Sequence, residues 1–399
     1  MAYTTHKRRR GFALITSMLV VCVFIVLALP YVARLVTEYW LISKIYNSTS
    51  ALYVAEAGAD RALWEIRYNQ CEFDGWTTEP GGDKIISVNS FQTSDGKTMG
   101  DYDVRVSISM DGMSAVVTAT GYTPNRTDPD GKRTVKVRYS RHNFGKAVVA
   151  LGGITMSGQA KTDSYDSNLG PYGSQPHTQE GDIITNGSIS MSGQAYINGD
   201  AHPGPGHPFS GTPPVSGSYG TLQAPFTVDP IPASTLSEAQ SNNNNDNILL
   251  DGQLWGGGYS LSASGQQVFT FPGGTYYFTS ISTSGQAQIN ITGPSTIYVD
   301  GGNVSISGQG IVNGARPRDL LLYSSGSSIS LSGQAAFTGA VYAPNANVTL
   351  SGQENVYGSI ICGSNSDSGQ AKIHFDLDLL NVQPVFANSR VTSWQEIEE

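Results

Sequence analysis

The acidic side chains are the first candidates for chemistry, because two carboxyl groups held roughly 5 to 10 Å apart act as the acid and base in polysaccharide cleavage. In the C-terminal part of the chain these residues are sparse and stand among Ser, Thr, Asn and Gly. Isolated acids at turns and chain ends explain them more simply than a catalytic pair. No catalytic residue is therefore predicted, and the chain is not predicted to be an enzyme. The acids considered are Asp300, Glu354, Asp367, Asp376 and Asp378.

The histidines are the next candidates, as ligands for a metal ion. His177, His202 and His207 lack cysteine partners and the spacing of zinc ligands, so they are interpreted as loop residues. Asp128 and Asp130 resemble the start of a calcium-binding loop, but the glutamate that such a loop requires is missing. Neither a metal nor a cofactor is predicted.

The composition indicates a turn-rich, mostly β protein. Gly accounts for 46 of 399 residues and charged side chains for only 14%, which disfavours both a helix-rich enzyme and a charged disordered chain. The net charge is −9 although the first ten residues are basic, so the rest of the chain repels phosphate backbones and no nucleic-acid partner is predicted. Cys71 and Cys362 could form one disulfide or stay unpaired.

An uncharged, apolar segment covers residues 11–33 and follows the basic cluster 7–10. As a helix it would reach roughly 34 Å, enough to cross a bilayer core. The positive-inside rule then predicts a cytoplasmic N-terminus. Three interpretations are open: a signal anchor, a secretory signal cleaved after Ala28 or Ala33, and a bacterial prepilin leader.

The segment 8–15 (RRRGFALI) resembles the processing site of type IV prepilins. The resemblance implies that a prepilin peptidase cuts after Gly11, that Phe12 becomes the methylated N-terminus, and that residues 1–11 form the leader. The segment 55–62 (AEAGADRA) resembles the signature that closes the N-terminal region of PilX-like minor pilins.

Thr16 occupies the position where most pilins carry a glutamate. That glutamate neutralises the N-terminal ammonium of a neighbouring subunit inside an apolar filament core, where an unpaired charge is costly. The resemblance therefore implies a minor subunit at the filament tip, unless this pairing is simply absent from the family.

The apolar segment continues into an amphipathic helix, so one long helix is predicted over residues 12–68, with a disturbance at Pro30. Alternating runs at 102–110, 114–122 and 133–141 predict antiparallel strands, and Asp111-Gly112 predicts a hairpin turn between the first two. A helix packed on a small antiparallel sheet is the expected pilin-like head, at 69–143.

The tripeptide Ser-Gly-Gln occurs eight times after residue 144, most often at intervals near 20 residues. This repeat predicts a right-handed parallel β-helix over 144–381, rather than a β-sandwich or propeller, with inserted loops at about 161–182 and 200–247 and a C-terminal tail at 382–399. The segment resembles an uncharacterised bacterial domain found fused to PilX-like N-termini. The motif glutamines are expected to stack as an amide ladder; they are Gln159, Gln194, Gln266, Gln286, Gln309, Gln334, Gln353 and Gln370.

The sequence thus predicts a minor pilin or pseudopilin, held in the inner membrane by a single span and then exposed in the periplasm or on a surface pilus. The expected partners are other pilins, the inner-membrane assembly platform and the prepilin peptidase. The alternative is a membrane-stalked protein that binds or degrades polysaccharide. A surface glycan is a further candidate partner, through tyrosines expected to be exposed: Tyr172, Tyr196, Tyr259, Tyr276 and Tyr277.

Overall fold

The computed structural model describes residues 7–68, 73–109, 114–140, 144–211, 215–313, 316–333, 336–382 and 390–397. The chain divides into two compact units. One unit contains the N-terminal helix and an antiparallel sheet, and this sheet is called the head. The other unit is a parallel β-solenoid. This is the predicted mainly β fold with a long N-terminal helix.

The helix α1 spans Lys7–Tyr68 and passes through Pro30 without interruption. At about 1.5 Å per residue it is roughly 90 Å long. Its apolar side chains from Leu14 to Tyr46 are exposed, whereas a stripe near its C-terminal end is buried. The buried positions recur every three or four residues, the spacing of one helix face: Ala51, Val54, Ala55, Ala59, Ala62 and Ile66.

Small residues allow this stripe of α1 to lie very close to the head sheet. A Cβ atom added to Gly58 would lie 2.9 Å from Val104 Cγ2 and 3.0 Å from Tyr102 Cδ2. On the sheet side, a Cβ at Gly121 would overlap the backbone of Ala51 and Ala55. Because neither surface leaves space for a side chain at these points, the glycines set the distance between helix and sheet.

The head sheet contains the three predicted strands together with an edge hairpin before them. Strands β1 and β2 are antiparallel, as are β2 and β3, and the order along the sheet is β1-β2-β3-β4-β5. The predicted Asp111-Gly112 turn lies outside the described residues. The strands are β1 Thr77–Thr78, β2 Lys84–Gln92, β3 Thr98–Ile108, β4 Ser114–Thr123 and β5 Gly131–Ser140.

The solenoid begins with three coils that stack in chain order. The first two coils contribute one short strand to each of three faces and the third contributes two strands, and equivalent strands of successive coils pair in parallel. The strands are β6 Val148–Ala150, β7 Ile154–Met156, β8 Lys161–Tyr165, β9 Ile183–Thr185, β10 Ile189–Met191, β11 Tyr196–Ile197, β12 Ala201–His202 and β13 Phe209–Ser210.

A connecting segment then carries the chain to the opposite end of the solenoid. It contains the helix α2, Ala233–Ser241, whose Leu236 and Ala239 are buried. The chain winds back through the remaining strands, of which β14 pairs antiparallel with its neighbours. They are β14 Leu249–Leu250, β15 Gln253–Leu254, β16 Ser260–Ala263, β17 Val268–Phe271, β18 Gly274–Phe278, β19 Ser280–Thr283, β20 Gln288–Ile291, β21 Ser295–Val299, β22 Val304–Ile306, β23 Gly310–Asn313, β24 Leu320–Ser324, β25 Ser328–Gly333, β26 Ala336–Gly352, β27 Asn355–Asp367 and β28 Lys372–Asp376.

The end of the solenoid chain meets its beginning in the middle of the stack. Strand β27 pairs in parallel with β6 and β7, and β28 pairs with β8. The order of the coils along the solenoid axis therefore differs from their order in the sequence.

The inserted loops are shorter than the sequence predicted, because residues 161–165 and parts of 201–210 form solenoid strands.

After the solenoid the chain returns to the head. Strand β29, Arg390–Ile397, is the neighbour of β5 in the head sheet. Arg133 Nη1 of β5 lies 2.8 Å from Glu396 Oε1 of β29. The segment predicted as a C-terminal tail thus contributes a strand to the head, and the solenoid is inserted between two adjacent strands of one sheet.

We expect Gly121→Val to loosen the head, because the new side chain overlaps the backbone of α1. Overpacking of this kind costs about 2–3 kcal/mol. Hydrogen exchange of β4 peptides, measured by mass spectrometry on the full-length protein in detergent, should accelerate strongly. Gly81→Val is the matched control, since a Cβ at Gly81 has nothing within 4 Å. Equal effects of the two variants would contradict this account.

Candidate functional surfaces

The N-terminal part of α1 is an apolar surface without a covering partner in the described chain. It is long and apolar enough to cross a membrane. Phe24 is 69% exposed and Trp40 71% exposed, so the apolar surface extends well beyond the first 20 residues of the helix. Gly11 and Phe12 lie in the first turns of α1, where side chains are outside the description, and Thr16 is exposed on the same helix.

The segment that follows residue 33 differs in character. Arg34 Nε donates to Glu38 Oε1 at 2.9 Å, one helical turn along, so the first charges after the apolar stretch pair with each other. Tyr39 and Tyr46 are exposed beside Trp40. Tyrosine and tryptophan are typical of the boundary between a bilayer and water, and this group marks where a spanning helix would leave the membrane.

The Ser-Gly-Gln motifs occupy one corner of the solenoid and form a continuous column through both parts of the winding. Each motif glycine has a φ angle between +64° and +101°. A Cβ at Gly158 would lie 2.6 Å from the Gly369 carbonyl oxygen of the next coil, so only glycine fits. The order along the axis is Gly265, Gly285, Gly308, Gly333, Gly352, Gly369, Gly158 and Gly193.

The motif glutamines follow the same column. Backbone hydrogen bonds run from Gln159 N to Gly369 O at 2.6 Å and from Gln194 N to Gly158 O at 2.6 Å. Their side chains are exposed, and Gln159 Nε2 donates to Gln194 Oε1 at 3.2 Å. Gln266 Nε2 donates to Gln286 Oε1 at the same distance. Gln309, Gln353 and Gln370 are also exposed, and Gln334 lies outside the described residues.

The face that precedes this corner carries a column of hydroxyl side chains. Its members occupy equivalent positions on neighbouring strands, point outward and are exposed or half-buried. At about 4.8 Å per strand the column is roughly 38 Å long. Its members, in axial order, are Ser262, Ser282, Ser305, Ser330, Thr349, Ser366, Thr155, Ser190 and Ser210.

Two further polar columns flank this one, two residues away along each strand. The motif serines form one, and Ser260, Ser280, Ser328, Asn347 and Ser364 belong to the other. Ser260 and Ser280 share a hydrogen bond of 2.9 Å, and Ser364 Oγ donates to Asn347 Oδ1 at 2.9 Å. The three columns lie side by side and together form a polar surface, which we call the hydroxyl face. The residues named here as its members are uncharged.

The tyrosines expected to bind sugars do not form a common surface. Tyr276 and Tyr277 are buried, with 0% and 3% exposure, so the prediction of exposed rings is wrong for both. The Tyr277 hydroxyl donates to Asp300 Oδ2 at 3.0 Å. Tyr259 remains 45% exposed and packs edge-to-face on Tyr277. These rings stabilise the coils.

A second polar cluster lies on another solenoid face, under the loop that joins β8 to β9. Tyr172 of this loop donates from its hydroxyl to Asp163 Oδ2 at 2.6 Å, and His374 Nδ1 lies 2.6 Å from Asp163 Oδ1. The Tyr172 ring stacks on His177 at 4.0 Å and contacts His374 at 3.8 Å. His374 is only 3% exposed although its strand position faces outward, because the loop covers it.

This cluster corrects the interpretation of the histidines. His177 is a loop residue, but it closes the loop against Asp163, from which its Nδ1 lies 3.8 Å away. His202 is buried and its Nδ1 lies 2.9 Å from the Gly220 carbonyl oxygen. Desolvation, together with the bond to Asp163, raises the pKa of Tyr172 well above its usual range. Among the residues described, no group of three His, Cys, Asp or Glu side chains has the arrangement of a metal site.

Several of the acids considered from the sequence have specific structural partners or lie inside the solenoid. Arg318 Nη1 lies 3.0 Å from Asp378 Oδ1. Glu354 and Asp367 are buried, with 0% and 2% exposure, and have oxygens without hydrogen-bond partners. Burial raises the pKa of Glu354 to about 8 and that of Asp367 to about 7. Cys362 is a free, buried thiol, and Cys71 lies outside the described residues.

Comparison with known proteins finds similarity to one family model over part of the solenoid. Residues 215–382 match the model of a domain of unknown function, DUF7305. No curated protein matches the chain. Among solved structures, the competence-associated pilin ComZ from Thermus thermophilus aligns with 12% identity over 88% of this chain and 97% of its own, at a TM-score of 0.40.

Ice-binding proteins are also similar at a distant level. The protein from an Antarctic biological consortium aligns with 17% identity over 59% of this chain and 89% of its own, at a TM-score of 0.31. The protein from Antarctomyces psychrotrophicus aligns with 14% identity over 58% of this chain and 95% of its own, at a TM-score of 0.25.

We expect Tyr172→Phe to release the loop between β8 and β9, because the variant removes the hydroxyl that donates to Asp163. A hydrogen bond to a carboxylate contributes about 1.5–3 kcal/mol, so exchange of loop amides should rise by about tenfold or more. Hydrogen exchange with mass spectrometry would measure this change. Tyr219→Phe is the control, since Tyr219 is 65% exposed. Unchanged exchange in the loop would show that the hydroxyl does not hold it.

Proposed function

We propose that the chain is a minor pilin-type subunit of a type IV pilus-like filament and that it displays its solenoid outside the cytoplasm. The observation that carries the proposal is the division of α1. Its N-terminal part exposes apolar side chains around the helix, whereas its last third packs on the head through small residues. Such a helix needs an apolar environment for one part and already has a packed partner for the other.

The N-terminal sequence supports the same role. In this proposal the prepilin peptidase cuts after Gly11, Phe12 becomes the methylated N-terminus, and α1 moves from the inner membrane into a bundle of other pilin helices with the help of the assembly platform. Thr16 cannot neutralise the ammonium of a neighbouring subunit. This favours a place at the filament tip, where one neighbour is absent. The proposed role is assembly and display, and it assigns no reaction.

We expect the mature protein to begin at a methylated Phe12 and to be found on sheared filaments, with immunogold label at their ends. Gly11→Leu should retain residues 1–11, since the peptidase recognises glycine there, and should lose the filament signal. Intact mass and immunogold microscopy measure the two outcomes. Ala33→Leu, which leaves the processing site intact, is the control. A mature protein that starts at Met1 and never co-purifies with filaments would contradict the proposal.

The hydroxyl face favours a second element of function, recognition of a neutral polysaccharide by the displayed solenoid. Hydroxyl and amide groups at a regular spacing can donate to and accept from sugar hydroxyls, while the absence of charge on the named columns favours uncharged polymers over ionic ones. The chain as a whole has a net charge of −9, which further disfavours acidic polysaccharides.

We expect the double variant Ser282→Lys/Ser305→Lys to reduce binding of the full-length protein in detergent to insoluble neutral polysaccharides by at least tenfold. Two ammonium groups would each require hydration and would interrupt the central column. The control Gln288→Lys/Asn290→Lys adds the same charge on β20, outside the hydroxyl face. Co-sedimentation measures binding. Equal loss in both variants, or no binding by the parent protein to any neutral polymer, would contradict this role.

A further inference from the structure

The two parts of the solenoid meet along a seam where the last coil contacts the first. We define the seam as the pairing of β27 and β28 with β6, β7 and β8. Strands that pair across the seam are far apart in the chain. Elsewhere in each part of the solenoid, coils that pair with each other are consecutive in the sequence. Opening of the seam therefore does not require either part to unwind.

The solenoid interior is apolar along most of its length but changes at the seam. Asn365 and Asp367 point inward from β27, where the equivalent positions on neighbouring strands are Ile154 and Met156. Both side chains are 2% exposed. Asn365 Nδ2 and Oδ1 and Asp367 Oδ1 have no hydrogen-bond partner. Each unsatisfied buried group costs about 1–3 kcal/mol, so the seam carries a penalty that neighbouring apolar contacts lack.

Glu354 is a second buried carboxyl group, one solenoid coil before the seam. It follows Gln353 at the motif corner, where other coils have a buried alanine, such as Ala287 and Ala371. Both carboxylate oxygens of Glu354 are buried without partners. The solenoid thus places its unpartnered interior carboxyls at the seam and in the coil beside it.

The groups around these carboxyls do not supply a compensating charge. Leu350 and Met156 occupy the positions stacked on either side of Asp367. Ala371 is the corner residue next to Glu354 in the following coil. Burial raises the pKa of Asp367 and the neighbouring Asn365 side chain lowers it in part, while Asp367 in turn raises the pKa of the buried Cys362 thiol on the same strand. A protonated acid is therefore the form that this interior accommodates.

Polar contacts outside the core close the seam. Ser359 Oγ donates to the Lys146 carbonyl oxygen at 2.6 Å. His374 Nδ1 of β28 lies 2.6 Å from Asp163 Oδ1 of β8, and Ser167 N donates to Asp376 Oδ1 at 2.9 Å. The seam is therefore held by hydrogen bonds of buried polar side chains that lie beside a weakened apolar interior.

We propose that the seam is a proton-controlled joint, closed while Asp367 and Glu354 are protonated and opened locally when they ionise, with both parts of the solenoid still wound. The direction of this pH dependence follows from the burial of the two carboxyl groups. A carboxyl whose pKa is raised on folding, here to about 7 for Asp367 and about 8 for Glu354, stabilises the closed form at low pH relative to high pH. That stabilisation is lost as the pH rises through these values.

Labelling of Cys362 tests the proposal directly. Its thiol is buried on the seam strand, and its register partner across the seam is Ala150. The full-length protein with Cys22→Ser and Cys71→Ser is treated with a maleimide in detergent between pH 6 and 9, and rates are divided by those of the denatured protein at each pH. Protection should fall as the pH rises from 6 to about 8, by about tenfold per pH unit for each carboxyl still protonated in the closed form, and should level off above pH 8. Glu354→Gln/Asp367→Asn should remove most of this fall, and the remainder comes from Asp376 of β28, a buried carboxyl whose pKa burial also raises.

A control thiol separates local opening from unfolding. Ser324 is fully buried and lies in the same interior column, two coils from the seam. Ser324→Cys with Cys362→Ser should stay protected throughout.

A second experiment is needed because the carboxyl variants could fail to fold. It uses the disulfide pair Thr155→Cys/Ser366→Cys across the seam, which should abolish labelling of Cys362. Three outcomes would each overturn the proposal. The first is protection of Cys362 that does not change with pH, and the second is labelling of the control thiol at the same rate as Cys362. The third is labelling of Cys362 that persists in the disulfide-linked variant.

Discussion

Backbone contact between successive glycines at the Ser-Gly-Gln corner is the constraint on which the solenoid depends. At five of these positions the next coil lies so close that no Cβ fits, and at all eight the φ angle is one that other residues rarely adopt; the five are Gly158, Gly193, Gly308, Gly352 and Gly369. The motif therefore fixes where each coil turns and how far it lies from the next. Side chains at equal distances from the corner then align in columns. The hydroxyl face, the glutamine column and the interior stack all follow from this alignment.

Close approach also organises the head, but there it joins a helix to a sheet. Gly58 and Gly121 bring α1 against the head strands, and the alanines of the buried stripe continue the contact. The N-terminal part of α1, which has no such contact with the sheet, remains exposed and presents large apolar side chains. One helix thus has two kinds of surface, and the change between them, near residue 47, separates the part that needs an external apolar partner from the part that the head already covers.

The fold class was predictable because its signals are local. The apolar run, the small residues of α1 and the spacing of Ser-Gly-Gln each appear within a few residues of the element they specify. The axial order of the coils was not predictable, because the repeats are locally alike and nothing in one motif states which coil it contacts. The pairing of β29 with β5 and the contact between Asp163 and His374 join residues that are hundreds of positions apart. Glu354 did carry a signal: it stands where five of the other seven motifs have an alanine after the glutamine.

The insertion of the solenoid between β5 and β29 has a mechanical consequence. The solenoid is attached to the head by two covalent connections, because the chain leaves from one strand and returns to the adjacent one. A protease that cuts either connection once leaves the solenoid attached to the head through the other. A pulling force between the two units is likewise shared by the two connecting segments of the chain. In a simple end-to-end fusion a single cut would separate the two units, whereas this double connection keeps them in one molecule.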